Sequence, residues 1–235
     1  MAVSCGVARH QSDWLNANKL VLNEDKTKFV IFSNRHIPVD TCIIIKNQQI
    51  KVSNSHDFLG VTIDKTLSFA HHINLVSNKI SKTIGILFKL KHYVPVNVLK
   101  TIYTSLIQSY LSYGISVWVA ANATNLYHLT ILQKRAIRLV NNSNYLDHTN
   151  PIFHNLNILK LNDLYKVRCL KYMYNVIFLN KYDFIQSSIL SQQVEHNHQT
   201  RTTDLRLPTV KKDKFKQSII YKSTFYWNKF KDLIP

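Results

Sequence analysis

The stretch HDFLGVTID, residues 56–64, divides the chain into two kinds of sequence. Phe58, Leu59, Val61 and Ile63 make it a short apolar strand interrupted by Gly60, which leaves room for a bulge or for the close approach of another chain. Ahead of it, TCIII (41–45), a polar KNQQ and IKV (50–52) read as a hairpin, with residues 57–63 as the last strand of the same small antiparallel sheet. Further upstream, TKFVIFS (27–33) has apolar residues on both faces and predicts a buried strand. Before that, Trp14–Leu22 reads as a helix with Asp13 as its N-cap. Residues 1–13 are expected to be disordered.

Beyond residue 64 the period changes. With Ser68 as N-cap, Phe69, Ile73, Val76, Ile80, Ile84 and Leu87 follow the three/four spacing of one apolar helix stripe. The opposite stripe carries His71, Asn78, Lys82 and Lys89. Pro95 opens a helix expected to reach Val117, with Leu99, Ile102, Leu106, Tyr110 and Tyr113 as its stripe, Gly114 at a helix crossing and Trp118 in the core. A third helix, Asn125–Val140, would pack Leu129, Leu132, Ala136 and Val140 inward and leave Lys134, Arg135 and Arg138 on its other side. Asn162 caps a further helix running to about Leu179, rich in tyrosine and with Lys166, Arg168 and Lys171. Residues 187–209 read as a linker, and the end mixes lysines with aromatic residues. The fold class expected is therefore α+β, mainly α: a small antiparallel sheet followed by a helical domain. The expected units are 14–67, 68–186 and a linker with a basic, aromatic C-terminal segment at 187–235.

Charge narrows the function. The 235 residues carry 30 Lys and Arg against 13 Asp and Glu, a formal charge of +17. Such an excess favours a polyanionic partner, nucleic acid before an anionic membrane surface. Three scattered cysteines, Cys5, Cys42 and Cys169, are no disulfide framework and suggest a reducing compartment, hence the nucleus or cytoplasm. The uncharged run from residue 101 to 133 is too polar for a membrane span. His71-His72 and His196-x-His198 lack further ligands at metal-site spacing, and Cys169 with His154 reads as core rather than as a nucleophile pair. No glycine-rich phosphate loop is present, so neither a metal nor a small-molecule substrate is expected.

The order NEDKTKFVIF (23–32), hairpin, FLGVTID (58–64), basic helix and LQKRAIRLV (132–140) resembles the C-terminal part of LINE-type, jockey-like non-LTR retrotransposon reverse transcriptases. The resemblance covers about Trp14 to Pro235 and implies the end of a palm, a primer grip, a thumb and the region beyond. It implies that Phe58, Leu59 and Gly60 hold the primer backbone near its growing end. It also implies that Lys26, in the Asn-x-x-Lys-Thr element, lies near the phosphates of an incoming nucleotide. A surface lysine ahead of a strand is the competing reading of Lys26. Lys79, Lys82, Lys89, Lys134, Arg135 and Arg138 become candidates for phosphate contact, with a solvated helix face as the competing reading. The partner implied is a primer–template duplex of RNA or DNA.

The chain departs from the family pattern at the chemistry. Two-metal polymerisation needs carboxylates converging on the metal pair. This sequence has no Asp-Asp and no Asp-x-Asp, and no tyrosine before Tyr93, so the family's Tyr-x-Asp-Asp hairpin is not in it. The intact family enzyme would use Mg; these residues are expected to bind without polymerising. An independent helical nucleic-acid-binding or scaffold protein is the alternative.

Overall fold

The computed structural model describes residues 14–21, 23, 27–33, 42–45, 48–119, 123–179, 205, 207–210 and 213–231. Within these the chain is mainly helical, with short antiparallel strands first, and it divides into two compact units, Met1–His72 and Ile73–Pro235.

In the first unit, β1 (Cys42–Ile45) pairs antiparallel with β2 (Gln48–Lys51), and β3 (Ser55–Phe58) with β4 (Val61–Asp64). These are two separate two-stranded sheets. The stretch read as one strand, 57–63, is instead a hairpin. Phe58 faces Val61, and the two residues between them, Leu59 (φ 48°) and Gly60 (φ 77°), both take positive φ. Two positive-φ residues in a two-residue loop match the right-handed twist of paired strands, so Gly60 serves a turn and not a bulge.

The buried strand expected at 27–33 is not formed. Phe29 makes one isolated bridge to Val52, the Ser53 N–H donates to the Phe29 carbonyl at 2.8 Å, and Ser33 donates to Lys65 at 3.1 Å. An apolar segment becomes a central strand only with a ladder on either side, and here it touches its neighbours at single points; Phe32 is 58% exposed. The helix expected at 14–22 is one turn, 14–17, and Asp13 and Leu22 lie outside the described residues, as do residues 1–13.

The turn after β4 is held by a carboxylate. Asp64 accepts from the Thr66 hydroxyl, from the Ser68 N–H at 3.1 Å and from the Phe69 N–H at 2.7 Å. Leu67 and Phe69 sit at φ 54° and 53°, a region L-residues occupy only at a cost. The Ser68 hydroxyl accepts from Ala70 at 3.3 Å, so Ser68 assists the helix start, but Asp64 organises it. Burial works against ionisation of Asp64; the hydrogen bonds outweigh it and hold the carboxyl down at about 2. Its pKa is thus depressed below the unfolded value of about 3.9, so the stability it contributes is present above about pH 4 and is lost as pH falls towards about 2. Asp64 keeps much of its solvent contact, which limits the effect to roughly 1 kcal/mol. Asp64→Asn is expected to unfold at lower urea at neutral pH and to converge with the wild type near about pH 2. Parallel midpoint curves across that range would show that the carboxylate is not the cause.

In the helical unit the sequence stripes mostly hold. On α1 (Ala70–Leu90), Phe69, just ahead of it, and Ile73, Val76, Ile80, Ile84 and Leu87 are all buried. The next helix is interrupted: α2 (Val96–Ile102), a π-helical segment (Tyr103–Gln108), α3 (Ser109–Ser112), then α4 (Ile115–Trp118). Its buried residues are Leu99, Tyr103, Ile107, Leu111, Ile115 and Trp118, whereas Leu106 is surface-exposed and Tyr113 is 57% exposed. In a regular α-helix, residues four apart advance by about 40°, so a four-residue stripe drifts. The wider π turn compensates and rotates the expected stripe off the core. Gly114, at φ 60°, breaks the helix there.

Helix α5 (Ala123–Val140) starts two residues earlier than expected and buries Leu129, Leu132, Ala136 and Val140 as read, together with Gln133 and Ile137. After α6 (Thr149–Asn155), α7 (Leu161–Ile177) begins behind Lys160, not behind Asn162, which lies in its first turn. Leu161, Tyr165, Cys169, Met173 and Val176 are its buried face. A 3₁₀ turn (Asp213–Gln217) leads to α8 (Ile219–Phe230), which packs on α7. Of the expected linker, Leu205 is buried beside Met173 and Trp227. The Asn228 side chain binds both the N–H (3.0 Å) and the carbonyl (2.8 Å) of Leu205, so this residue belongs to the core. Residues 187–204 lie outside the described ones.

Candidate nucleic-acid interface

The first unit places Phe58 and Leu59 at the hairpin tip, 61% and 75% exposed. Below the tip, the Thr62 hydroxyl donates to Asp57 at 2.5 Å, and the Thr62 N–H donates to His72 Nδ1 at 3.4 Å, which ties the hairpin to the first turn of α1. Lys26 lies outside the described residues. Around it, the Thr27 N–H and hydroxyl both donate to the Asn23 carbonyl, at 3.0 and 2.6 Å.

The helical unit carries the cations. Lys79, Lys82 and Lys89 are exposed on α1. Lys79 stands 5.6 Å above the Tyr110 ring of α3, which steadies it. With Leu75, Ile86 and Tyr93, these lysines form one outward stripe, Leu75-Lys79-Lys82-Ile86-Lys89-Tyr93, at alternating four- and three-residue steps. All six residues are surface-exposed, the apolar three by 41%, 47% and 84%. Lysine at half of these positions is unsuited to a dimer seam, which needs apolar residues throughout. Sequence reading missed Leu75, Ile86 and Tyr93 because it followed only polar residues on the outer face.

On α5 the three basic residues separate. Arg135 is exposed and Lys134 is half-buried. Arg138 donates from Nε to the Asp147 carbonyl at 2.9 Å, and its guanidinium lies 5.9 Å from the Tyr145 ring centre. It therefore holds the 141–147 loop, a role that helical periodicity does not reveal.

Little neutralises this charge. No Asp or Glu occurs between Asp64 and Asp147, a stretch that includes Lys65, Lys91 and Lys100 as well as the residues above. Among the described residues one ion pair is formed, Lys166–Asp163 at 2.7 Å. Among them, too, no three His, Cys, Asp or Glu side chains converge as metal ligands. The sequence contains no Asp-Asp pair. No described helix is long and apolar enough to cross a membrane.

Two curated proteins of Drosophila melanogaster match the chain. The RNA-directed DNA polymerase from mobile element jockey is 24% identical over 165 residues, 68% of this chain and 18% of that protein. The probable RNA-directed DNA polymerase from transposon BS is 23% identical over 149 residues, 62% of this chain and 16% of its own length. Over about two thirds of its length the chain is similar to mobile-element RNA-directed DNA polymerases. It spans less than a fifth of the length of these relatives. No family model and no solved structure matches it.

Proposed function

We propose that these 235 residues form a duplex-binding part of a retrotransposon reverse transcriptase, holding primer–template through its backbone. The observation that carries this reading is the outer stripe of α1, where lysines alternate with apolar residues and no carboxylate shares the helix. Lys82 and Lys89 are two helical turns apart, about 10.5 Å along the axis. Both ammonium groups can therefore reach phosphates of one strand that runs along α1. Ile86 and Tyr93 would then lie against sugars. Such contacts give affinity without sequence choice. The exposed Phe58-Leu59 tip fits a primer grip, and relationship to two polymerases favours this reading over an independent scaffold. The Mg-dependent chemistry is assigned to carboxylates that this sequence does not contain.

Fluorescence anisotropy with a labelled duplex, titrated at several salt concentrations, tests it. Each neutralised phosphate adds about −0.9 to the log–log slope. Replacing Lys82 and Lys89 together by alanine should reduce the magnitude of the slope by roughly 2. Lys211→Glu with Lys212→Glu is the control. Salt dependence that disappears with the tail change and survives the helix change would move the site to the tail.

A further inference from the structure

Helix α7 carries a second exposed face that the duplex reading does not use. Val167, Lys171, Tyr174 and Phe178, at steps of four, three and four, lie on one side, with Arg168 beside them. Arg168 and Lys171 are exposed, Tyr174 is 41% exposed and Phe178 58%. Their orientation is fixed from beneath. The Tyr174 and Phe178 rings lie 4.9 Å apart and tilted, and Phe178 leans at 6.0 Å on Trp227. Trp227 is itself buried with Met173 and Leu205. Phe178 is thus a braced ring showing one open side to solvent. The only carboxylate on α7, Asp163, lies a turn or more away and is paired with Lys166.

We infer that this face is a stacking site for single-stranded nucleic acid. Braced, exposed rings offer a π-face to any unpaired base, and a duplex cannot use them because its bases are already stacked. The rings are too close together for a base to enter between them, so bases stack on their outer sides. Lys171 and Arg168, about one and two turns back along the helix from Tyr174, supply cations for the phosphates of the same strand. Apolar burial alone would not call for an exposed cation in that row and a second beside it. Charge complementarity therefore selects a polyanion with exposed bases over an apolar protein surface.

The experiment uses the whole chain and two labelled probes, an oligothymidylate of about 16 nucleotides and a duplex of the same length. Tyr174→Ala with Phe178→Ala should weaken oligothymidylate binding by about 10- to 100-fold, with duplex binding unchanged. Tyr174→Phe should bind both probes like the wild type. Phe178→Leu, which keeps an apolar side chain and the fold but loses the π-face, should still lose single-strand affinity. Full retention of oligothymidylate binding by Phe178→Leu would overturn the stacking site. So would an equal loss on both probes in Tyr174→Ala with Phe178→Ala. Loss of duplex binding in Lys82→Ala with Lys89→Ala, with oligothymidylate binding intact, bears on the α1 reading and leaves this one standing.

Discussion

Replacing Gln133 by leucine should lower the stability of the helical unit by about 2–5 kcal/mol, among the largest losses available to a single side chain that touches no nucleic acid. Gln133 is 1% exposed in the middle of α5. Its amide donates to the Tyr103 hydroxyl at 2.9 Å and to the Leu159 carbonyl at 3.0 Å, and its oxygen accepts from the Leu161 N–H at 2.9 Å. One side chain thus joins the π-helical segment, α5 and the start of α7. Leucine fills nearly the same volume, so packing is conserved while the partners are orphaned. The Tyr103 hydroxyl and the Leu161 N–H are buried, and each unsatisfied group costs about 1–3 kcal/mol. Burial also pushes the Tyr103 phenol up to about 12, so it cannot escape by ionising near neutral pH. The check is a double-mutant cycle in urea. With Tyr103→Phe already present, Gln133→Leu should cost less, because one orphan has been removed in advance. Strict additivity of the two losses would mean that the hydrogen bond contributes nothing beyond the packing of each residue.

How much of this was legible in the sequence depends on whether the backbone kept a regular period. Along α1 and α5 it did, and the core residues Ile73 to Leu87 and Leu129 to Val140 could be read from spacing alone. At Leu59, Leu67 and Phe69 it did not, because non-glycine residues at positive φ have no sequence signature; Asp64 stabilises the last of these turns through bonds to neighbouring N–H groups. The π turn at 103–108 is likewise silent, and it moved the buried face from Leu106 to Ile107. Segment 27–33 failed for a different reason. Its composition specifies that it can be buried, but burial needs partner strands that local sequence does not name. In the candidate interface, the exposure of Lys82, Lys89 and Arg135 follows from the apolar stripes opposite them. The engagement of Arg138 with Tyr145 and Asp147 depends on how a loop folds back, so no periodicity could give it.

Trp118→Ala is expected to cost about 3–5 kcal/mol, comparable with the loss at Gln133 and by a different mechanism. Trp118 is fully buried at the end of α4, a four-residue helix that packs on α7. So short a helix has no stability of its own and persists only through its packing. The indole fills that contact, and its Nε1–H donates at 2.7 Å to the Tyr113 carbonyl, just before the Gly114 break. The ring therefore both seats α4 and closes the turn that leads into it. Trp118→Phe separates the two contributions. It keeps most of the apolar volume and loses the donor, so it should recover more than half of the alanine loss if packing dominates. A phenylalanine variant as unstable as the alanine one would show instead that the hydrogen bond to Tyr113, and with it the geometry of the Gly114 turn, carries the stability.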